Sequence, residues 1–358
     1  MHGADSAVVR RAIETGDPLP GTRGFAGRVD GRLVRDVLGR YPLFFAESNP
    51  ARWAFDPNEL EDPRLLPAGS VLGADGEGRS VWSLPDPPPR DDDTAIDAVR
   101  DGIDAALGSV EEDGLAIAFS GGVDSALLAA RLDVPLYVAG FPESHDVSVA
   151  RAAARLLEQD LQVVELDHET LRESVPVVAR AIDRTNAMDV EIALPLYRLA
   201  ERAAADGFDR LAVGQGADEL FGGYAKVARA PEDPRVEAET VRGARRETLG
   251  TLPGQLERDV LAVRAGGVEP VTPLLSDHVV RPALSLSGSL LVSDRGGRKY
   301  ALRLAGREWL PDPIAFQEKK AMQYGTLVAR ELDRLARQAG FKRRMDDHVT
   351  QYVESLFD

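Results

Sequence analysis

Short apolar runs alternate with segments of helical periodicity through the middle of the chain. Apolar runs of strand length occupy four segments, residues 115–119, 135–139, 161–166 and 210–213. Apolar residues recur at helical spacing in two segments between them, residues 147–157 and 192–205. This alternation predicts an α/β fold with a mostly parallel, doubly wound sheet, right-handed crossovers and the strand order 3-2-1-4. In that order the first and fourth strands are neighbours, and ligands bind beyond their carboxyl ends.

The two ends of the chain carry other patterns. Residues 1–89 lack helical periodicity and are rich in Gly, Pro and short apolar runs, so we expect a small β-rich domain there. The tract PDPPPRDDD at residues 85–93 predicts a stiff, charged linker with a helix beginning near Thr94. Residues 90–358 would form the α/β domain, with a helical layer and an amphipathic closing helix after residue 330.

A glycine turn, SGGVDS, follows the first predicted strand and precedes a helical pattern. Four of its residues would offer backbone amides or hydroxyls to an anion at a helix start, a cradle suited to phosphate: Ser120, Gly121, Gly122 and Ser125. Asp124 would repel a phosphate unless a cation lay between them, which predicts Mg²⁺. The alternative is a tight glycine turn in which Asp124 caps the helix.

A second motif, GQGADELFGGY at residues 214–224, follows the fourth predicted strand. In the 3-2-1-4 order, Asp124 and Asp218 would face one crevice from adjacent strand ends. Two carboxylates so placed can share Mg²⁺ on a triphosphate and stabilise charge on departing pyrophosphate. No Gly-Lys-Ser or Gly-Lys-Thr tripeptide is present, so kinase-like and GTPase-like hypotheses lose their main support.

The paired motifs resemble the synthetase domain of the asparagine synthetase family, ATP pyrophosphatases with a pyrophosphate-binding loop, over about residues 97–329. The resemblance implies the adenine-nucleotide α-hydrolase-like fold. It also implies that ATP adenylates a carboxylate, that pyrophosphate leaves, and that an amine displaces AMP to give an amide. By the same resemblance, the pyrophosphate would be held by Ser120, Gly121, Gly122, Asp124 and Ser125. Asp124 and Asp218 would bind Mg²⁺, Gly140 would lie near the adenine, and Gly214 near the AMP part.

Lysine is scarce, with only five in the chain. Where arginine has replaced lysine nearly everywhere, a retained lysine more often delivers a compact or titrating charge. The segment QEKKAM resembles the family segment whose catalytic lysine contacts the α-phosphate, which makes Lys319 the candidate, with Lys320 beside it. Lys299 fits equally a structural ion pair or a role near the site, and we expect Lys226 and Lys342 at the surface.

Two positions depart from the family pattern. Gln215 stands at a catalytic position where asparagine-forming members usually carry a glutamate thought to accept a proton, and an amide cannot act as a general base. Val271 stands where the family has an arginine, the natural partner of a carboxylate. Three nearby acids could serve as bases or be solvated helix charges: Asp183, Asp189 and Glu191.

The front of the chain resembles the family's glutaminase domain in RDVLGRYPLFF at residues 35–45 and in LPAGSVL at residues 66–72. A glutaminase of this type needs a cysteine thiolate at the mature N-terminus, and the chain contains no cysteine. We therefore expect a shortened, non-catalytic remnant, or a docking surface for a separate ammonia donor. His2 is not a substitute nucleophile, and the start of the chain is expected to be disordered or incidental.

Composition limits the remaining possibilities. Acidic residues number 59 against 43 basic ones, and the net charge of −16 with so little lysine predicts a halophilic, archaeal source. The absence of cysteine and the scattered histidines leave Mg²⁺ as the expected metal. No apolar stretch reaches the roughly 20 residues of a membrane span and no signal peptide opens the chain, so we expect a cytoplasmic protein without a membrane partner. Nucleic acid is not expected as a partner, although general acidity is weak evidence in a salt-adapted protein.

The leading hypothesis is an ATP-dependent amide ligase that uses ATP and Mg²⁺, with aspartate and free ammonia as the nearest family substrates. A second keeps the adenylation but changes the acid or the amine, as in β-lactam-forming or RNA-modifying relatives, and Gln215 and Val271 favour it. A third is a non-catalytic nucleotide-binding regulator. Retention of both acidic motifs and of Lys319 counts against the third.

Overall fold

A computed structural model describes residues 1–73, 76–230, 232–317 and 325–357. The chain divides into two compact units. The first unit comprises Met1–Val110, Gly214–Glu257 and Thr272–Glu308, and the second comprises Glu111–Val213, Arg258–Val271 and Trp309–Asp358. The predicted boundary between residues 89 and 90 stays a prediction.

The elements are numbered in chain order. The strands are β1 (Ala26–Val29), β2 (Arg32–Arg35), β3 (Phe44–Ala46), β4 (Asn49–Ala54), β5 (Pro63–Leu65), β6 (Ser70–Leu72), β7 (Gly78–Ser80), β8 (Leu115–Ala118), β9 (Leu136–Gly140), β10 (Leu161–Glu165), β11 (Arg210–Ala212) and β12 (Glu269–Val271). The helices up to the second motif are α1 (Ser6–Thr15), α2 (Asp92–Gly108), α3 (Val123–Arg131), α4 (His145–Leu156), α5 (His168–Ile182), α6 (Ala187–Ala205) and α7 (Ala217–Phe221). The later helices are α8 (Ala225–Ala228), α9 (Val241–Ala265), α10 (Asp277–Leu284), α11 (Gly288–Leu291), α12 (Tyr300–Gly306), α13 (Asp312–Ala315), α14 (Val328–Gln338) and α15 (His348–Glu354).

The second unit is built on a five-stranded sheet in the order β10-β9-β8-β11-β12. All its strand pairs are parallel, and its first four strands in chain order, β8 to β11, have the predicted order 3-2-1-4. The mostly parallel α/β fold is therefore confirmed. The sequence did not predict β12, because this strand has only three residues and contains Pro270. It also missed α5, although the capping box between Asp167 and Thr170 marks its start.

The core of the second unit lies between the sheet and α6. Leu211 and Ala116, on neighbouring strands, are fully buried, and Leu196, Ala200 and Ala203 of α6 pack into the same cluster. The spacing of these α6 residues places them on one helix face, as the apolar periodicity predicted. This packing fixes the carboxyl ends of the strands that carry the first motif.

The front of the first unit is β-rich, as predicted. It contains a four-stranded sheet in the order β1-β2-β6-β7 and a three-stranded sheet in the order β4-β3-β5, all antiparallel. Helix α1 was not predicted. The expectation of a disordered or incidental start is wrong, because the His2 amide donates to the Ala26 carbonyl at 2.8 Å. The His2 ring also lies against the rings of Tyr41 and Phe55.

The predicted linker is held in place rather than free. Arg242 of α9 donates to the Asp86 carboxylate at 2.9 Å and to the Pro87 carbonyl at 2.8 Å. Helix α2 begins two residues before the expected Thr94, where the Asp91 side chain accepts from the Thr94 amide. The expected closing helix is in fact two helices, α14 and α15. Among the helices of the described ranges, none combines the length and apolarity that crossing a bilayer requires.

Candidate functional site

The first motif forms the turn between β8 and α3. Gly121 has φ +73°, and a Cβ there would lie 2.9 Å from the Val149 carbonyl oxygen and 3.0 Å from the Ala150 amide nitrogen. Only glycine combines this backbone conformation with so close an approach to the α4 backbone. The position of the turn is therefore set by α4.

The serine hydroxyls hold the turn in shape. The Ser120 amide donates to Ser125 Oγ at 3.1 Å, and the two Oγ atoms lie 3.2 Å apart. Ser125 Oγ donates to the Gly122 carbonyl at 3.3 Å. Gly122 is the N-cap of α3, and no side chain in the described part of the chain caps that helix. Amides at such a helix start suit an anion.

Asp124 is the second residue of α3 and is only 5% exposed. Because the cap is Gly122, the alternative in which Asp124 caps the helix is wrong. A carboxylate in the first turn is favoured by the positive end of the helix dipole. The aspartate therefore lies beside the turn that would hold a phosphate, which is where a bridging cation would be needed.

Strand β9, which pairs with β8, ends at Gly140 in a tightly packed turn. A Cβ on Gly140 would lie 2.6 Å from Ser144 Oγ and 3.0 Å from Val147 Cγ2. Ser144 is buried and is the N-cap of α4, where its Oγ accepts from the Val147 amide at 3.3 Å. Packing against the α4 cap therefore accounts for the glycine. The expected position of Gly140 near an adenine stays a prediction.

Lys319 and Lys320 lie outside the described residues, which resume at Gly325. A Cβ on Gly325 would lie 2.0 Å from Asp146 Oδ1, so Gly325 fits directly against that buried carboxylate. The Phe141 amide donates to the Thr326 carbonyl at 3.3 Å. The chain six residues after Lys319 is therefore fixed at the carboxyl end of β9, next to the strand that leads into the first motif.

The second motif makes a comparable turn in the first unit. Gly214 and Gln215 are half-buried, and Gly216 has φ +87° and is the N-cap of α7. A Cβ on Gly216 would lie 2.2 Å from Leu275 Cδ2, so a side chain cannot be accommodated there. Gln215 therefore directly precedes a turn that packing allows only glycine to form.

Asp218 of this motif pairs with Lys299. Lys299 Nζ lies 2.8 Å from Asp218 Oδ1, and the two side chains are 8% and 43% exposed. A Cβ on Gly223 would lie 1.8 Å from Asp218 Oδ1 and 2.4 Å from Lys299 Cε. Gly223 therefore leaves the space that the ion pair occupies. The two alternatives for Lys299, a structural ion pair and a role near the site, are compatible, because its ion-pair partner is a predicted site residue.

Glu219 and Tyr224 were missed by the sequence analysis. Glu219 is 4% exposed, and Tyr224 Oη donates to its Oε1 at 2.5 Å while lying 3.1 Å from Gln255 Oε1. Burial, and then the charge of Asp218, raise the pKa of Glu219 to about 7. One signal was available in the sequence, a glutamate inside the apolar segment of α7 between Ala217 and Leu220.

The two predicted metal ligands lie in different units, each six residues after the end of a strand. Asp124 follows Ala118 of β8, and Asp218 follows Ala212 of β11. These strands pair directly and in parallel, with Ala212 opposite Ile117. The residues that the structure describes contain no cluster of three acidic or histidine side chains that could hold a metal by themselves. Mg²⁺ commonly takes one or two carboxylates and completes its shell with phosphates and water, so Asp124 and Asp218 are each a donor of the kind that a nucleotide-bound ion takes.

The three acids offered as alternative bases have different environments. Asp183 is exposed at the C-cap of α5. Burial opposes ionisation of Asp189, but hydrogen bonds from Asn186 and Arg258 outweigh it and lower the pKa of Asp189. Burial, followed by the charge of Asp333, raises the pKa of Glu191 to about 7. With its pKa raised in this way, Glu191 could exchange a proton near neutral pH.

Val271, at the family's arginine position, is the last residue of β12. Its carbonyl accepts from the Val213 amide at 2.9 Å, so it continues the sheet beside the strand that leads to the second motif. A valine offers no charge to a carboxylate at this position. The departure from the family pattern therefore lies in a strand, not in a loop.

Several known proteins are similar to this chain in sequence. The family model described as asparagine synthase matches residues 99–249 and 229–356. A Methanocaldococcus jannaschii protein named "putative asparagine synthetase (glutamine-hydrolyzing) 1" is 33% identical over 279 residues, which cover 68% of this chain and 51% of that protein. Escherichia coli asparagine synthetase B is 25% identical over 374 residues, covering 90% of this chain and 65% of that protein. The chain thus spans between half and two thirds of the length of these two relatives.

Proposed function

Since this chain belongs to the asparagine synthase family, we propose that it is an ATP-dependent carbon–nitrogen ligase that adenylates a carboxylic acid and releases pyrophosphate. One observation carries the proposal. Asp124 and Asp218 follow directly paired parallel strands at the same offset of six residues, each after a turn that only glycine can form. The carboxyl ends of such neighbouring strands are where α/β folds bind nucleotides.

In the proposed reaction the turn of residues 120–125 holds the leaving pyrophosphate through its amides and serine hydroxyls. A carboxylate oxygen of the acid attacks the α-phosphorus of ATP, and the bond from that phosphorus to the bridging oxygen breaks. Asp124 and Asp218 would bind Mg²⁺, which would neutralise charge on the phosphates. Lys319 would approach the α-phosphate from the segment that ends at Gly325.

In the second half of the proposed reaction, an amine attacks the acyl carbon, AMP leaves with the electron pair of the acyl–oxygen bond, and the nitrogen loses a proton. Gln215 cannot accept that proton. In the version of this reaction nearest to the named relatives, the acid is aspartate and the amine is free ammonia. The absence of cysteine from the chain supports a supply of ammonia that does not depend on glutaminase activity of this chain. A separate ammonia donor could dock at the β-rich front. The reaction would take place in the cytoplasm.

A second candidate function keeps the adenylation and changes the acid or the amine. Two observations favour it, the uncharged Val271 in β12 and the amide of Gln215. A site without the arginine fork binds an acid by other groups, so a β-lactam-type or RNA substrate fits the same ATP half-reaction.

The test is to incubate the full chain in concentrated KCl with Mg-ATP and candidate acids, with and without ammonium, and to identify the nucleotide product. AMP and pyrophosphate that depend on aspartate and ammonium support the first function, and dependence on another acid or on tRNA supports the second. ADP as the product, or tight ATP binding without turnover, would contradict both and indicate a kinase-like enzyme or a non-catalytic regulator. Asp124→Asn and Asp218→Asn should each lose turnover.

A further inference from the structure

Two features of the backbone favour the ion pair between Asp218 and Lys299. Lys299 is one of only five lysines, and it holds a left-handed backbone conformation, with φ +57°, directly before α12. A non-glycine residue rarely adopts this conformation, so the surrounding fold enforces it. Gly223 has no side chain, and a Cβ there would overlap the two paired side chains. The left-handed backbone of Lys299 and the absence of a side chain at Gly223 together place the ammonium on the Asp218 carboxylate.

The exposure of the two partners is unequal, and this indicates how the pair could open. Asp218 remains 43% exposed, whereas the Lys299 side chain is 8% exposed. A cation arriving from solvent therefore reaches the aspartate while the lysine occupies one of its oxygens. An ammonium and a divalent ion on the same carboxylate repel each other.

We propose that Lys299 is the resident cation of Asp218 and competes with divalent metal for it, so that metal binds there only weakly unless a nucleotide contributes phosphate ligands. The inference deepens the proposed function and rests on it for the role of Asp218 as a ligand. Mg²⁺ gives up its water reluctantly and seldom binds through one carboxylate alone. A lysine already on that carboxylate lowers the affinity for the bare ion further, while Mg-ATP brings its own oxygens.

The consequence is an order of binding. Metal and nucleotide enter as one complex, and the nucleotide-free protein does not fill its metal position from the cell's free Mg²⁺. Lysine suits this role better than arginine, because a compact ammonium can be displaced without breaking a two-pronged contact.

The experiment measures the affinity of the nucleotide-free full chain for Mn²⁺ alone, by electron paramagnetic resonance or calorimetry at fixed KCl. Lys299→Met should bind Mn²⁺ about tenfold more tightly than the wild type, as expected for removing one competing charge. Lys226→Met is the matched control and should leave the affinity unchanged, because the Lys226 ammonium lies 5.9 Å from the centroid of the Tyr224 ring and makes no ion pair with Asp218. Adding Asp218→Asn to Lys299→Met should remove the gain.

A folded Lys299→Met protein that binds Mn²⁺ no more tightly than the wild type would overturn the proposal. If that variant does not fold, wild-type protein labelled with acetic anhydride gives the same answer, because saturating Mn²⁺ should raise labelling of Lys299 and leave Lys226 unchanged. Equal labelling of Lys299 with and without Mn²⁺ would also overturn it. Neither measurement uses ATP, so a chain that releases no pyrophosphate from Mg-ATP would refute the proposed function without deciding this competition.

Discussion

At the scale of single residues, two carboxyl groups that are close in sequence differ in pKa because their surroundings differ. Asp189 and Glu191 are two residues apart on α6, yet Asp189 Oδ1 lies 2.9 Å from Arg258 Nη1, while Glu191 is half-buried and feels the negative charge of Asp333. The pKa of the first is lowered and that of the second is raised to about 7. The lowered pKa depends on the nearby Asn186 and on the distant Arg258, and the raised pKa depends on burial and on the distant Asp333, so local spacing along the chain does not predict the difference.

Glu191→Gln tests the raised pKa through stability. The folded protein keeps the Glu191 proton that the unfolded chain releases near pH 4.5, so this residue costs stability as the pH rises from about 4.5 to about 7, and the full cost remains above pH 7. The glutamine variant should therefore be more stable than the wild type at pH 8, by about 1 kcal/mol after allowance for partial exposure, and equal to it at pH 4. Denaturant unfolding at both pH values checks this, and an equal difference at both would contradict the assignment.

Lys319→Ala tests the choice of catalytic lysine. A compact charge at the α-phosphate stabilises the transition state, so its removal should slow pyrophosphate release by at least about a hundredfold while ATP binding is kept. Lys320→Ala is the matched control and should keep most of the activity. Pyrophosphate release and equilibrium ATP binding are measured for both variants. An active Lys319→Ala protein together with an inactive Lys320→Ala protein would show that the adjacent lysine is the catalytic one.

At the scale of elements, the segment of residues 35–45, which resembles part of a glutaminase domain, supports the second motif. Arg40, which is fully buried, donates to Asp36 at 2.8 Å, to Asp277 of α10 at 2.7 Å and to the Leu275 carbonyl at 2.8 Å. The Leu275 side chain in turn fills the space next to Gly216. A continuous chain of contacts therefore joins the β-rich front to the turn before Asp218, all inside the first unit.

Arg40→Leu tests this connection. The substitution leaves two buried carboxylates without their shared cation, so it should lower the free energy of unfolding by about 3–5 kcal/mol. Arg10→Leu is the control, because Arg10 pairs with Asp30 at 2.8 Å on the exposed surface of the same unit, and its loss should change the free energy of unfolding far less. Urea unfolding measures both. Equal losses would mean that the buried ion pairs do not hold the segment of residues 35–45 in place.

At the scale of the whole molecule, the main electrostatic feature is the excess of acidic over basic residues. The net charge of −16 is spread over a chain whose bases are nearly all arginine, and many of those arginines form pairs such as Arg235 with Asp233 and Arg343 with Asp333. The unpaired excess is repulsive at low ionic strength. The composition therefore makes the stability of the protein depend on salt.

A salt series tests the predicted adaptation. Raising KCl from about 0.1 M to about 2 M shortens the screening length from about 10 Å to about 2 Å, so repulsion among the acidic groups should vanish and the melting temperature should rise by 10 °C or more, an order-of-magnitude expectation. Differential scanning calorimetry at fixed pH measures the shift. A melting temperature that is flat or falls with KCl would contradict a halophilic protein.

Much of the fold could be predicted because its signals are local. Apolar runs of four to six residues predicted four parallel strands in the correct order, and the glycine turn after β8 marked Ser120, Gly121 and Ser125 as one loop. The weaker signals failed for physical reasons. The strand β12 is short and contains a proline, and α1 starts a region whose composition favours strands.

The sequence by itself determined the family, the parallel sheet and the two acidic motifs, because periodicity and glycine spacing act through the backbone over a few residues. Only the tertiary structure decided which charges meet. Lys299 lies 81 positions after Asp218 and Arg40 lies 237 positions before Asp277, and both pairs are in contact. Such pairs, and the raised pKa values of Glu191 and Glu219, depend on burial and on distances that no local pattern encodes.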